Sequence, residues 1–256
     1  MAFYLDRHAQ LYDLFYAGKP YGEEAAFVAR LLGSMGVSPP ARLLELACGT
    51  GRHARELEKL GFSLVATDNS ADMLACARQA AAGSKSQVRF READMQTLDL
   101  GGETFDAAIC LFDSIGYLQT NEAIGAALSA TRRHLRKDGL LVLEFWHAAA
   151  MLRDFDPVRV RRWRTESGEV IRMAETSLDH FNQVAHVAYD VIELGNDGTC
   201  ARFKETHTNR YFLAQEMRAL VEQSGFEVTR WCSGFSEGPV DEKTWHIVLG
   251  ARRRDA

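Results

Sequence analysis

The chain of 256 residues lacks the features that mark several large functional classes. It has five cysteines, Cys48, Cys76, Cys110, Cys200 and Cys232. They are widely spaced with no C-x-x-C pair, so no metal site is expected and reduced thiols are. No apolar run approaches the roughly 18 residues of a membrane span. The first stretch, MAFYLDRHAQLYDLFYAGKPYG, carries charges throughout, unlike a signal peptide, and a cytoplasmic location is expected. Lys and Arg number 30 against 35 Asp and Glu, a net charge of −5. That balance gives no general attraction for nucleic acid or for an anionic membrane. No internal repeat or low-complexity tract occurs. What is present is an ordinary globular balance, 46% hydrophobic and 25% charged, long enough for one large α/β domain or two small ones.

Apolar residues at helical spacing predict a helix over Leu5–Phe15, ending near Gly18. GEEAAFVARLLGSM predicts a second, stopped by Pro39 and Pro40. ARLLELAC, a short apolar run after prolines and before glycines, predicts a buried strand, and FSLVATD, QVRFREAD, TFDAAICLF and LLVLEFW predict four more. Helices are expected between them over Arg52–Leu60, Ser70–Ala82 with Ser70 as N-cap, and about Asn121–Arg136. Asp138-Gly139 is expected to turn the chain into the fifth strand. Alternation of strand and helix over residues 41–147 implies βαβ units, a parallel sheet and right-handed crossovers. From about Val158 to Phe212 the pattern changes. VRVRRWRT, EVIRMAETSLDH, VAHVAYDVIEL and RFKETHTNRYF alternate, with turns at Ser167-Gly168 and Gly195–Gly198. They predict an antiparallel insert packed over one edge of the parallel sheet. A helix (Ala214–Gln223), a strand (Phe226–Cys232), a loop (Ser233–Asp241) and a last strand (Thr244–Ala251) follow.

The stretch LLELACGTGRHA, Leu43–Ala54, reads as a buried strand, a glycine turn and a helix start. Gly49 and Gly51 remove bulk, so a ligand can approach the backbone. With Ala54 the turn fits the loose fingerprint G-x-G-x-x-[GA] of dinucleotide sites, with a tight turn that holds no ligand as the lesser alternative. Three acids narrow the choice. Glu45 lies in the first strand, and Asp68 and Asp94 end the second and third, all at or beside the edge where open α/β sheets bind ligands. Asp68 can accept from two ribose hydroxyls. Carboxylates beside the loop suit a ligand with positive charge and suit pyrophosphate badly, which weighs against an NAD-dependent oxidoreductase.

ELACGTGRH, Asp68 and EADM together resemble the class I S-adenosylmethionine-dependent methyltransferases. YDLFYAGKPYGEEA, DMLACAR and LFDSIGYL bring the resemblance closer to the small-molecule N-methyltransferases of the amino-sugar N,N-dimethyltransferase type. The resemblance implies a class I methyltransferase fold, a Rossmann-like, doubly wound α/β sheet. Residues 39–150 and 213–256 would form this core, residues 151–212 the antiparallel insert on the acceptor side, and residues 1–38 an N-terminal helical lid. It implies S-adenosylmethionine as cofactor, no metal, and a small-molecule methyl acceptor. No nucleic-acid or membrane partner is expected, and a homodimer is open. Ala47, Gly49 and Gly51 would line the methionine and ribose portions, and Glu45 would bind the amino group. Asp68 would take the ribose hydroxyls, with Asn69 and Met73 near the adenine. Asp94 and the Met95 amide would meet the adenine edge. Leu111 would sit close to the cofactor, and Tyr16 and Tyr21 would close over it. Nitrogen is the implied acceptor atom, with oxygen second. A non-catalytic cofactor-binding scaffold is the other alternative. The stretch after the fifth strand, EFWHAAAM, departs from the sugar enzymes, which have an aromatic, proline-bearing segment there.

Several side chains admit two readings. His147 ends the fifth strand at the ligand edge and is either a proton acceptor for the substrate or a hydrogen-bonded structural histidine. Tyr16 either aims its hydroxyl at the reacting centre or packs its helix. Tyr117 either touches cofactor or acceptor or anchors a loop, and Trp146 is a candidate wall of the acceptor pocket. Arg159, Arg161, Arg162 and Arg164 read as the wet face of a strand, with an acidic acceptor the lesser alternative. Phe203, Tyr211 and Phe212 wall the acceptor pocket or fill the insert's core, and His207 and Lys243 are weaker acceptor candidates. His53 is expected only near the cofactor carboxylate, Cys48 as small filler, and ARRRDA as a solvated end.

Overall fold

Strands that read as unbroken apolar runs are buried on both faces, and that sets the architecture. The computed structural model describes residues 6–255. In chain order the elements begin α1 (Asp6–Phe15), α2 (Tyr21–Ser34), β1 (Arg42–Leu46), α3 (Arg52–Lys59), β2 (Ser63–Asp68), α4 (Ala71–Ser84) and β3 (Arg89–Glu92). They continue with β4 (Phe105–Cys110), a 3-10 turn (Ser114–Leu118), α5 (Asn121–Arg133), β5 (Leu135–Trp146) and α6 (Ala148–Arg153). The insert strands β6 (Val158–Thr165), β7 (Gly168–Asp179), β8 (Val184–Gly195) and β9 (Cys200–Arg210) come next, then α7 (Ala214–Gln223), β10 (Phe226–Ser233) and β11 (His246–Arg253).

Seven strands form one sheet in the order β10-β11-β5-β4-β1-β2-β3. All pairings from β5 to β3 are parallel, and β11 runs antiparallel to both β5 and β10. The chain leaves β1 toward β3 on one side and returns to β4 on the other, so the switch in strand order falls between β1 and β4. Ligands of open α/β sheets bind beyond the carboxyl ends at such a switch. Alternate residues serve opposite layers. Leu43, Ala107, Ile109, Leu140, Val142 and Val248 join the core that includes Ala25–Leu32, Ala54 and Leu57 of α2 and α3. Leu44, Ala108, Cys110, Leu141, Leu143 and Leu249 join the core with Ile124 and Leu128 of α5 and Met217 and Val221 of α7.

The insert is a separate four-stranded antiparallel sheet, β6-β7-β8-β9. It meets the first sheet where His147 bridges Phe212 and where β9 runs beside the 3-10 turn. α1 is wedged between the two. Leu11 and Phe15 pack on Val170 and Val191 of the insert, while Ala9 and Tyr12 pack on Met73 of α4. Leu5, expected to start this helix, lies outside the described residues, as do residues 1–4 and Ala256. Among the described residues no helix is long and apolar enough to cross a membrane.

Four local expectations are corrected. α5 stops at Arg133, because the strand direction resumes at Leu135. Leu135 pairs with Phe105 and Leu140 with Ala107, so Arg136–Gly139 loops out of the ladder, and Asp138 takes φ +59° there. α6 had no sequence signal of its own in EFWHAAAM. β11 starts later than expected, because Asp241–Thr244 forms a turn in which Asp241 N–H donates to Thr244 Oγ1 at 3.1 Å. Finally, ARRRDA is no free tail. Arg252 and Arg253 extend β11, and their guanidinium groups donate to the carbonyls of Met35 and Leu135.

Candidate active site

The glycine turn stands at the switch between β1 and β4. Gly49 and Gly51 have φ of +56° and +68°, the left-handed region where glycine carries no Cβ penalty. A Cβ on Gly51 would lie 2.5 Å from the Phe90 ring, so this glycine also lets α3 approach β3. A Cβ on Gly49 would come within 3.0 Å of Met73 Cε. Asp68 ties the turn to the next helix. Its Oδ2 accepts from Gly49 N–H at 2.8 Å and its Oδ1 from Ser70 N–H at 2.9 Å. Burial pushes its carboxyl above the ordinary value, and these backbone donors oppose that. Ser70 caps α4 as expected, accepting from Met73 N–H at 3.2 Å.

Glu45 lies on the face of β1 that Leu43 turns toward α2 and α3. It is buried, and its Oε2 has no hydrogen-bond partner. Burial, with Asp68 nearby, pushes its pKa up to about 8. A buried acid with an orphaned oxygen is costly unless a donor arrives. It lines a small cavity of about 30 Å³ with Tyr21, Arg52, His53 and Leu111. The Arg52 guanidinium lies 4.3 Å from the Tyr21 ring centre. His53 is fixed from behind, Nε2 to Glu24 Oε2 at 2.7 Å. Cys48 is a buried filler whose thiol burial holds well above its usual range.

A larger cavity of about 380 Å³ adjoins it across Tyr12, Ala47, Gly49, Phe112 and Ser114. The structure brings together here Ala47 and Gly49 of the turn, Asp68 and Asn69 after β2, Met73 of α4, and Asp94 and Met95 after β3. Asp94 Oδ1 accepts from Gln96 N–H at 2.8 Å, and among the described residues no hydrogen bond to its other oxygen is seen. Tyr16, Tyr117 and Trp146 line the same space. Past Tyr16, Phe112 and Trp146 it continues into a second cavity of about 320 Å³ under the insert. Arg159, Arg161 and Arg172 line this second space. The expected wet face of β6 is thus divided. Arg159 and Arg161 line the cavity, while Arg162 and Arg164 are exposed away from it, and the Trp163 ring lies 5.0 Å from that of Phe15 at a 48° tilt.

Other expected site residues stand elsewhere. Gly51 lines neither cavity; its role is the fit against Phe90. His147 is turned away from the ligand edge. Its Nδ1 lies 3.0 Å from Thr244 O, its amide donates to Trp245 O, and it starts α6. It lines none of the cavities described, so the structural alternative is the one the geometry takes. Tyr211 is buried with Ala148, Met151 and Ala185, its hydroxyl 3.4 Å from Asp179 O. Lys243 is exposed, next to the Asp241 turn. Phe203 packs against the α1 cluster and Phe212 in the sheet core.

Sequence alone passed over four groups at this site. Tyr12 and Phe112 wall the cavity, with Tyr16 packed between them at ring distances of 4.7 and 5.0 Å. Asp113, in LFDSIGYL, is buried and accepts from Trp146 N–H at 2.9 Å and Asn209 Nδ2 at 3.1 Å. It therefore joins β4, β5 and the insert. Glu144 is buried on the same sheet face as Val142. It accepts from Phe112 N–H at 2.5 Å and lies 3.0 Å from His246 Nδ1. Burial works against its charge, but His246 and Lys19 outweigh that and hold its carboxyl below the usual range. An acid in the middle of LLVLEFW was the one available signal for it.

A methyltransferase-domain family model matches residues 43–139, from β1 to the return into β5. The dTDP-3-amino-3,6-dideoxy-α-D-glucopyranose N,N-dimethyltransferase of Streptomyces fradiae is 31% identical over 225 residues, covering 86% of this chain and 84% of that enzyme. The chain belongs to the S-adenosylmethionine-dependent methyltransferases. A second relative, the dTDP-3-amino-3,4,6-trideoxy-α-D-glucopyranose N,N-dimethyltransferase of Streptomyces venezuelae, is 38% identical over 142 residues. That match spans 54% of this methyltransferase and 57% of the relative. The SAM-bound structure of an amino pentose methyltransferase of calicheamicin biosynthesis from Micromonospora echinaspora superposes with a TM-score of 0.75 at 29% identity, covering 95% of this chain and 97% of that one. S-adenosylmethionine is the cofactor of this methyltransferase, which sets aside an NAD-dependent oxidoreductase, and the family match and the relatives make it an enzyme rather than a scaffold. The orphaned Glu45 Oε2 beside the glycine turn fits a ligand with a cationic amino group.

Proposed function

We propose that this methyltransferase acts on the amino nitrogen of a small acceptor that also carries a phosphate-type anion, a nucleotide-linked amino sugar or a close analogue. Arg172 carries the proposal. It is buried, it lines the second cavity, and its Nη1 has no hydrogen-bond partner. The rings of Phe15, Tyr16, Trp163 and Tyr189 surround the guanidinium at 4.6–5.4 Å. Such a caged cation with an unpartnered donor is suited to an anionic oxygen, and Arg159 and Arg161 add charge beside it. The names of the two Streptomyces relatives, both dTDP-amino-sugar N,N-dimethyltransferases, support an acceptor of the same kind.

The bound cofactor supplies a methyl group that is already activated as a sulfonium substituent. The chain's own residues bind and orient. Glu45 takes the cationic amino group, Asp68 the ribose hydroxyls with the lone pairs its backbone bonds leave over, and Asp94 with the Met95 amide the adenine edge. Residues 1–38 act as the lid through Tyr12 and Tyr16, and residues 151–212 supply the acceptor side. Tyr16, Phe112 and Trp146 form the neck between the cavities, where methyl and amine would meet. Holding the two in line in a dry neck can contribute roughly 7–11 kcal/mol.

The test uses dTDP-3-amino-3,6-dideoxy-α-D-glucopyranose as acceptor probe and reads methylated product by mass. Methylation of the probe is expected, with thymidine diphosphate competing against it. Arg172→Gln should raise KM by roughly 10–150-fold, the worth of about 1.5–3 kcal/mol for hydrogen bonds to a charged group, with kcat less affected. A wild type that leaves this probe untouched and methylates uncharged amines, insensitive to Arg172, would sink the proposal.

A further inference from the structure

We propose that Tyr117, His207 and Glu205, backed by His8, form a proton relay in which Tyr117 takes the proton from the acceptor's amine. The proposal rests on nitrogen being the methyl acceptor. Four side chains from three separate parts of the chain are joined end to end. Tyr117, in the 3-10 turn after β4, has its hydroxyl 2.8 Å from His207 Nδ1 on β9. His207 Nε2 lies 3.0 Å from Glu205 Oε1, and Glu205 Oε2 lies 2.6 Å from His8 Nδ1 on α1. Tyr117 and His207 line the main cavity, and both imidazoles are buried. β8 and β9 are paired along their whole length, from Val184 with Arg210 to Leu194 with Cys200. The sheet therefore does not need this row of polar groups to hold its register.

The direction of the bonds follows from valence. An ionised carboxylate only accepts, so both rings donate to Glu205, His207 through Nε2–H and His8 through Nδ1–H. Burial opposes the charge on Glu205, but the bonds from His207 and His8 more than offset it and hold the carboxyl well below its usual range. Neutral His207 then has only Nδ1 as an acceptor, and Tyr117 O–H donates to it. When an acceptor ammonium releases a proton to Tyr117 Oη, Tyr117 passes its own proton to His207 Nδ1. The products are a neutral amine, a neutral tyrosine and an imidazolium held by the Glu205 carboxylate. No charge is created without a partner, and no oxidant or further reactant is needed.

His8, Glu205 and His207 could be mistaken for metal ligands, since their ligand atoms lie within 4.8 Å of one another. The 2.6 Å between His8 Nδ1 and Glu205 Oε2 is a hydrogen bond, tighter than the roughly 3.3 Å that two ligands of a tetrahedral zinc at about 2.0 Å must keep. The titratable and charged groups facing the relay are His8 and Tyr12 on α1, Arg172 on β7, Tyr189 on β8 and Glu205 on β9. Of these only Glu205 is acidic, and burial, with Arg172 adding to it, lowers the His8 pKa against the pull of Glu205.

Two measurements on the full chain test the relay. The first needs no acceptor. Nitrogen NMR of the histidine side chains should find His207 protonated on Nε2 at neutral pH, with its Nδ1 signal moved by Tyr117→Phe. A His207 protonated on Nδ1 overturns the relay. The second is turnover of dTDP-3-amino-3,6-dideoxy-α-D-glucopyranose against pH. Tyr117→Phe should lower kcat on the order of 10²-fold near pH 7 with KM little changed, and the loss should shrink where the free amine is already neutral. Glu205→Gln should show the same pH-dependent loss, while the affinity for S-adenosylhomocysteine stays that of the wild type in both. A Tyr117→Phe enzyme with wild-type kcat at all pH values overturns the proposal, whether or not Glu205→Gln folds. A wild type inactive on the probe counts against the proposed acceptor instead, and the tautomer measurement then decides the relay.

Discussion

Glu45 and Asp68, on the neighbouring strands β1 and β2, form a pair of buried acids in which one is hydrogen-bonded by the glycine turn and the other keeps an orphaned oxygen. Burial first, and the Asp68 charge second, raise the Glu45 pKa from 4.5 to about 8. Near neutral pH the ligand-free protein thus holds a proton on Glu45. A cationic amino group bound there favours the ionised form, so cofactor binding at pH 7 should release close to one proton. Calorimetry of S-adenosylhomocysteine in buffers of different ionisation enthalpy measures it, and Glu45→Gln should abolish it. The same shift has a stability sign. A raised carboxyl pKa favours the folded state below the unfolded value and loses that contribution as pH rises through the folded value. The stability of the ligand-free protein should therefore fall between about pH 4.5 and 8 from this group, and Glu45→Gln should flatten that slope.

Asp68 serves both turn and ligand. Asp68→Ala should weaken S-adenosylhomocysteine binding by about 1.5–3 kcal/mol, the usual worth of hydrogen bonds to a charged group. It also orphans the Gly49 and Ser70 amides. Urea unfolding beside the affinity measurement separates the two effects, and a folded variant with unchanged affinity would remove Asp68 from the site.

His147 should behave as a structural residue. His147→Ala removes the ring that contacts Thr244 O and should cost about 1–3 kcal/mol of stability. Turnover per folded molecule should stay near that of the wild type at every pH. A pH-dependent loss of kcat would return His147 to the chemistry.

Gly51→Ala should destabilise through two additive mechanisms. The left-handed φ of +68° costs roughly 1–2 kcal/mol for a residue with a Cβ. Crowding of the Phe90 ring adds roughly 1–3 kcal/mol. The double variant Gly51→Ala with Phe90→Ala should recover the crowding part when measured against Phe90→Ala alone, and full additivity of the two would argue against the contact.

The lid proposal concerns α1 and Tyr16. Bound cofactor should add contacts to Tyr12 and Tyr16, so amide exchange over residues 6–22 should slow on addition of S-adenosylhomocysteine. Equal protection with and without it would leave α1 as plain packing between insert and core.

Local and periodic information was enough for the parallel core, the antiparallel insert and the cofactor edge. Runs of strand length bounded by turn residues and alternating with helical patterns read as the strands of a parallel sheet, and Glu45 and Asp68 lie in the first two of them, with Gly49 and Asp94 just beyond strand ends. What lies far apart along the chain was decided by tertiary structure. His147 had the right position along β5, but Thr244, almost a hundred residues on, turns its ring out of the site. Arg172 carries no signal of its own in EVIRMAETSLDH, and it is the packing of Phe15, Tyr16, Trp163 and Tyr189 around it that singles it out. His8 and Glu205 are 197 residues apart, and only the wedging of α1 against β9 makes them partners. The strands carry their own burial signal in sequence, whereas the direction of a side chain and the identity of its partner are set by which elements pack together.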